Sequence, residues 1–170
     1  MNYKIVIDGK GGSGKDQFVE FCKKYNNKVY NISTIDKIKE HAINLGWNGV
    51  KDNKGRLLLS ELKRISKEYN ELPLRDVLNK IYYICQDSSD NIIFIHSREQ
   101  EEIKQIKNKF KDDNSCYTLL IENNRVNSCL GNNSDDCDKS SRFYDYVIHN
   151  DWGLEELEVA ACSFIEGIVK

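Results

Sequence analysis

Hydrophobic and polar positions along this chain fall into two kinds of block. Short unbroken apolar runs, of the sort buried in a parallel sheet, occur at YKIVID (3–8), KVYNI (28–32), NIIFIH (91–96), CYTLLIE (116–122) and within YDYVIHND near the C-terminus. Between them, apolar residues recur at helical spacing: Phe18, Cys22 and Tyr25 after the first run, and Ile103, Ile106 and Phe110 after NIIFIH. TIDKIKEHAINLG follows the second run, with Ser33 and Thr34 as helix-cap candidates and Gly46 as its stop. Two more helices are expected before NIIFIH. LLLSELKRISKEY places Leu58, Leu62, Ile65 and Tyr69 on one side, and LRDVLNKIYYIC follows Pro73, a residue suited to a first helical turn. LEELEVAACSFIEGIV closes the chain as an amphipathic helix. The alternation predicts a three-layer α/β fold, a five-stranded parallel sheet with helices on both faces and right-handed crossovers.

Two stretches break the pattern. WNGVKDNKG (47–55) is polar, and residues 123–142, NNRVNSCLGNNSDDCDKSSR, have almost no apolar content and read as a surface loop. A length of 170 residues with 39% hydrophobic positions suits one domain with one continuous core. The formal net charge of -2 argues against a nucleic-acid-coating surface, although a basic pocket fits within a balanced total. No apolar run reaches the roughly 20 residues that span a bilayer, and the first residues start on a strand instead of a signal peptide. A soluble cytoplasmic protein without a membrane partner is expected. The six cysteines form no C-x-x-C pair, and they read as reduced core residues. Cys129 and Cys137 by themselves fall short of a four-ligand zinc site.

The strongest chemical signal is GKGGSGKDQ at residues 9–17. It fits G-x-x-x-x-G-K from Gly9 to Lys15, directly between a buried strand and a helix, where backbone N–H groups turn inward around phosphate oxygens. Gly9, Gly11, Gly12 and Gly14 allow that turn, Lys15 supplies the charge for the β- and γ-phosphates, and Lys10 is a second charge nearby. Ser13, Asp16 and Gln17 complete the nucleotide-binding candidates. Asp16 stands where a serine or threonine usually contributes a hydroxyl to magnesium. Three readings are open: it ligates Mg2+, it is an acidic first-turn residue, or the loop is degenerate. A carboxylate beside a triphosphate is repelled unless a cation lies between them, which favours the metal-linked reading.

G-x-x-x-x-G-K-D resembles a branch of the phosphate-loop small-molecule kinases, notably the phage-type deoxynucleoside monophosphate kinases and the animal-type phosphomevalonate kinases. NISTIDKIKE looks like the acceptor-side segment after the second strand, and FIHSREQEEI like the strand followed by an arginine and an acidic helix start. DYVIHNDWGLEELE is similar to the closing strand and helix of nucleotide and dephospho-coenzyme A kinases. The resemblance covers nearly the whole chain. It implies a P-loop NTPase fold of the monophosphate-kinase kind, with a helical acceptor-binding insert about 34–86 and a lid about 123–142. It also implies ATP and Mg2+ as cofactors, transfer of the γ-phosphoryl group to a nucleoside or deoxynucleoside monophosphate, and a monomer or homodimer; a phosphomevalonate-like or dephospho-coenzyme A-like acceptor, or a non-kinase nucleotide-binding regulator, stays open as the alternative.

Arginines are few, six against nineteen lysines, so their places carry information. Arg56 follows a glycine in the insert, Arg75 opens the helix after Pro73, Arg98 lies just past a strand, and Arg125 and Arg142 flank the polar loop. The resemblance implies that Arg98 holds the acceptor's phosphate, that Arg125 and Arg142 move onto the phosphates when the lid closes, and that Ser33, Thr34, Asp36, Lys37, Arg56 and Arg75 line the acceptor side. One departure stands out. His96 ends the strand at the place where many phosphate-loop enzymes keep a magnesium-holding aspartate. Asp16 is then the leading metal residue, with Asp36 as an acceptor-side acid.

Overall fold

The computed structural model describes residues 1–87, 89–112, 114–125 and 141–169. In chain order the elements are β1 (Tyr3–Asp8), α1 (Lys15–Tyr25), β2 (Val29–Ser33), α2 (Asp36–Asn44), α3 (Asn53–Asn70), α4 (Leu72–Asp87), β3 (Ile92–His96), α5 (Gln100–Lys109), β4 (Cys116–Glu122), β5 (Tyr146–His149) and α6 (Leu154–Ile168). The strands form one sheet in the order β2-β3-β1-β4-β5, every pairing parallel. The expected five-stranded parallel sheet with helices on both faces is what the chain forms.

The period-2 geometry of the strands sorts their unbroken apolar runs into two cores. Ile5, Ile7, Ile92, Phe94, Leu119 and Ile121 face α1 and α6, where they meet Phe18, Cys22, Ala161 and Phe164. Val6, Ile93, Ile95 and Leu120 face α4 and α5, against Val77, Ile81, Ile103 and Ile106. Cys22 is fully buried and burial pushes its thiol up to about 12, which keeps it an inert core group. A third, smaller cluster of Ile38, Ala42 and Leu59 joins α2 to α3, with Trp47, Leu58 and Leu62 packed against it.

Two local expectations are corrected. Neither Ser33 nor Thr34 caps α2: Ile35 takes that position, and both hydroxyls instead donate to the His96 carbonyl oxygen, at 3.3 and 3.4 Å. The end of β2 is thereby stitched to the end of β3. On α3, Leu59 is the buried apolar side chain, while Ile65 and Tyr69 are exposed. This helix packs on α2 and α4 rather than on the sheet, so its apolar edge is short. It also starts earlier than the apolar pattern suggested, because Asp52 caps it by accepting from the Gly55 N–H at 2.7 Å.

Topology decides where ligands can bind. After β1 the chain passes to the α1 face, and after β3 it passes to the α5 face. Because β1 and β3 are neighbours, a crevice opens beyond their C-terminal ends, the usual ligand position in an open parallel sheet.

Candidate active site

That crevice is a cleft of about 1190 Å3, reached by Ile7 at the end of β1, Gly12, Gly14, Lys15, Asp16 and Gln17 of the glycine loop, and His96, Ser97 and Arg98 beyond β3. Its far wall is α3. Arg56, Ser60, Lys63 and Lys67 recur there at steps of four, three and four residues, so one helical face points into the cleft.

The glycine loop is built as its chemistry requires. Gly9 has φ +151°, and a Cβ there would collide with the Ile121 carbonyl oxygen of the neighbouring strand. Gly14, at φ +97°, begins α1 in the left-handed region, and a Cβ would strike the Asn150 side-chain amide, which donates to the Ser13 carbonyl at 2.9 Å. Lys15 is buried and folds back on the loop, its ammonium 2.7 Å from the carbonyl oxygens of both Gly9 and Lys10. These are ligands that phosphate oxygens can replace. Below the loop, Asp8 accepts from the Gly9 N–H at 2.6 Å and from the Tyr144 hydroxyl at 2.5 Å. Burial and that carboxylate push the Tyr144 phenol up, so it stays a proton donor to Asp8.

Asp16 is 91% exposed at the mouth of the cleft, with His96 Nδ1 3.8 Å from its carboxylate, wider than a hydrogen bond. His96 is mostly buried, its side chain 14% exposed. Its Nε2 makes no hydrogen bond to any described residue, and burial pushes the imidazole down to about 4, so the side chain is neutral at ordinary pH. Among the described residues no three His, Cys, Asp or Glu side chains come together as a metal cluster. A lone exposed carboxylate beside a phosphate loop nevertheless suits Mg2+, which keeps several waters and takes one or two carboxylates plus phosphate oxygens.

Of the acceptor-side candidates, Ser33, Thr34, Asp36, Arg56 and Arg98 line the same cleft. Asp36 accepts from the Ser33 N–H at 2.8 Å and pairs with Lys80 at 3.4 Å, which makes it a fastening of the α2 start. Lys37 and Arg75 do not line it. Lys37 pairs with Glu40 on the surface, and the exposed Arg75 reaches the Asn70 carbonyl. Arg125 and Arg142 are exposed at the two ends of the proposed lid, whose residues 126–140, with Cys129 and Cys137, lie outside the described residues. Two residues after Arg142, Tyr144 anchors this segment to Asp8 beneath the glycine loop.

Sequence reasoning missed the lysines of the cleft wall, Lys39, Lys51, Lys63 and Lys67, and the support from Asp8 and Tyr144. The i, i+4, i+7, i+11 spacing of Arg56, Ser60, Lys63 and Lys67 was a signal available in the sequence, as was an acid ending the apolar run before Gly9.

No family model matches the chain, and no curated protein does. Solved structures do. The chain is similar to APS kinase from Mycobacterium tuberculosis, with 10% identity over 97% of both chains and a TM-score of 0.52. It is also similar to TT1252 from Thermus thermophilus, with 16% identity over 98% of both chains and a TM-score of 0.55. At these identities the likeness is one of fold: the chain shares the α/β fold of that APS kinase and of TT1252.

Proposed function

We propose that this chain is an ATP-dependent phosphotransferase that moves a γ-phosphoryl group to a small phosphorylated acceptor, with nucleoside and deoxynucleoside monophosphates as the first candidates. One observation carries the reading: a phosphate loop with its lysine and a cationic helix face with Arg98 line a single cleft. Phosphoryl transfer asks a protein mainly to hold two anions in line and to neutralise charge as it moves. A switch protein that binds one nucleotide has no use for the second cationic wall.

In this reading the glycine-loop N–H groups and the start of α1 hold the β-phosphate, and Lys15 exchanges the Gly9 and Lys10 carbonyls for phosphate oxygens. Asp16 would help to hold Mg2+, whose chemistry is to neutralise the triphosphate and polarise the transferred group. Arg98 and Arg56 face the acceptor, in the insert about 34–86, and Arg125 and Arg142 border the lid about 123–142 that excludes water on closure. The dependence on ATP suits a cytoplasmic setting.

A second reading keeps the chemistry and changes the acceptor. Among the described residues the cleft lining holds no Phe, Tyr or Trp, only Ile7, Ile32, Ile35 and Leu59 as apolar groups, which favours a phosphorylated metabolite without a base, of the phosphomevalonate kind. The test is ADP release from ATP and Mg2+ with nucleoside monophosphates, phosphomevalonate and dephospho-coenzyme A offered singly. ADP formation is expected only with certain acceptors, with kcat lowered on the order of 100-fold or more in Lys15→Ala and the Mg2+ requirement altered in Asp16→Ala. Hydrolysis that ignores the acceptor, or nucleotide binding without turnover across the panel, overturns the kinase reading.

A further inference from the structure

We infer that Lys63 and Lys67 form a binding site for a dianionic phosphate group, and that the Glu99 carboxylate is the group this phosphate displaces. The name acceptor for that ligand rests on the reading above; the site itself rests on geometry.

Lys63 and Lys67 are one helical turn apart, and both reach across the cleft to the segment that follows β3. Lys63 Nζ lies 2.7 Å from Glu99 Oε1 and Lys67 Nζ lies 2.7 Å from Glu99 Oε2, so one carboxylate bridges two ammonium groups. Lys63 also reaches Glu102 Oε2 at 3.1 Å. The two acids are not equivalent. The Glu102 side chain is 2% exposed and accepts the Ser97 hydroxyl at 2.5 Å, so its departure would leave a buried, unpaired charge. Glu99 is 28% exposed at the position before α5 and makes no capping bond to that helix. Among the described residues its side-chain partners are the two lysines, which hold its carboxyl below the usual range although burial raises it.

Glu99 is therefore the exchangeable anion, and Glu102 keeps Lys63 in place when the exchange occurs. The exchange favours particular ligands. A phosphomonoester at neutral pH carries close to two negative charges and three acceptor oxygens, against one charge and two oxygens on the carboxylate. It can satisfy both ammonium groups, and Arg98 lines the same cleft to receive the third oxygen. A carboxylic acid ligand offers nothing that Glu99 does not already supply. Glu99 thus makes the site selective for phosphomonoesters over monoanions.

The experiment measures anion binding to the full chain by calorimetry at a pH near 8, with the glycine loop saturated by Mg2+ and a non-hydrolysable ATP analogue. The probes are inorganic phosphate and acetate. Phosphate is expected to bind and acetate not. Glu99→Gln is expected to tighten phosphate binding by about fivefold or more and to admit acetate, while Lys67→Met weakens phosphate binding by about tenfold with Glu99 intact. The second variant keeps the test decisive if Glu99→Gln folds poorly. Unchanged or weaker phosphate binding in a folded Glu99→Gln, or binding indifferent to Lys67→Met, overturns the site and makes Glu99 a strut between α3 and α5. Because no turnover is read, that failure would leave acceptor-dependent ADP formation standing, and the site could equally survive an acceptor panel that fails.

Discussion

At the scale of single residues, the cleft floor combines a mostly buried, neutral His96 with an exposed Asp16, 3.8 Å apart. The imidazole stays unprotonated because its desolvation outweighs the two nearby carboxylates, Asp16 and Asp36, while Lys15 and Arg98 add to the depression. An unfolded chain would protonate this histidine at its ordinary value near 6.5, whereas the folded one refuses the proton until about 4. The contribution of His96 to stability is thus complete above about pH 6.5, falls as pH drops from there to about 4, and is fully lost below. In nucleotide-free protein, His96→Gln is expected to flatten the loss of stability over that window, measured by urea midpoints across pH. An unchanged slope would place the acid sensitivity elsewhere.

At the scale of elements, the glycine loop is only as rigid as the strand and helix it joins. Phe18, in the second turn of α1, is fully buried between Phe94 and Phe164, with ring centroids at 6.1 and 5.6 Å in edge-on contact. Phe18→Ala is expected to cost about 3–5 kcal/mol of stability by opening a cavity between α1, α6 and the sheet. Chemical denaturation checks it, and a cost under about 1 kcal/mol would mean that α1 is not held through this contact. Helix α3 shows the opposite design. With a short apolar edge at Leu58, Leu59 and Leu62, it is fastened to the β3–α5 junction through Lys63 and Lys67 and leaves a charged face on the cleft.

Across the whole molecule, charge is sorted rather than abundant. The chain carries a formal net charge of -2, yet among the described residues the cleft is lined by eight lysines and arginines against four carboxylates. A low-dielectric crevice lined mainly by one sign of charge focuses its field and draws anionic ligands. On the proposed phosphotransferase reading, KM for both nucleotide and acceptor is expected to rise several-fold between about 0.05 and about 0.3 M salt, with kcat much less affected. Steady-state kinetics at graded potassium chloride would show it. Salt-independent KM values would mean that the cleft cations are already neutralised by their own carboxylates.

Much of this was legible from residue order, because the information is local. Apolar runs of strand length, helical periodicities and the Gly9–Lys15 spacing each need only a few neighbours, and β1, β4 and α1 fall where those patterns put them. The Asp16 departure and the position of Arg98 on the binding edge were visible for the same reason. Tertiary structure decided what depends on residues far apart in the chain. It set the strand order that opens the crevice between β1 and β3, and it turned the hydroxyls of Ser33 and Thr34 to the His96 carbonyl. It also joined Tyr144 to Asp8 and brought Glu99 between Lys63 and Lys67. Those contacts span tens of residues or more, and only closure of the sheet and docking of α3 bring their partners within a hydrogen bond's reach.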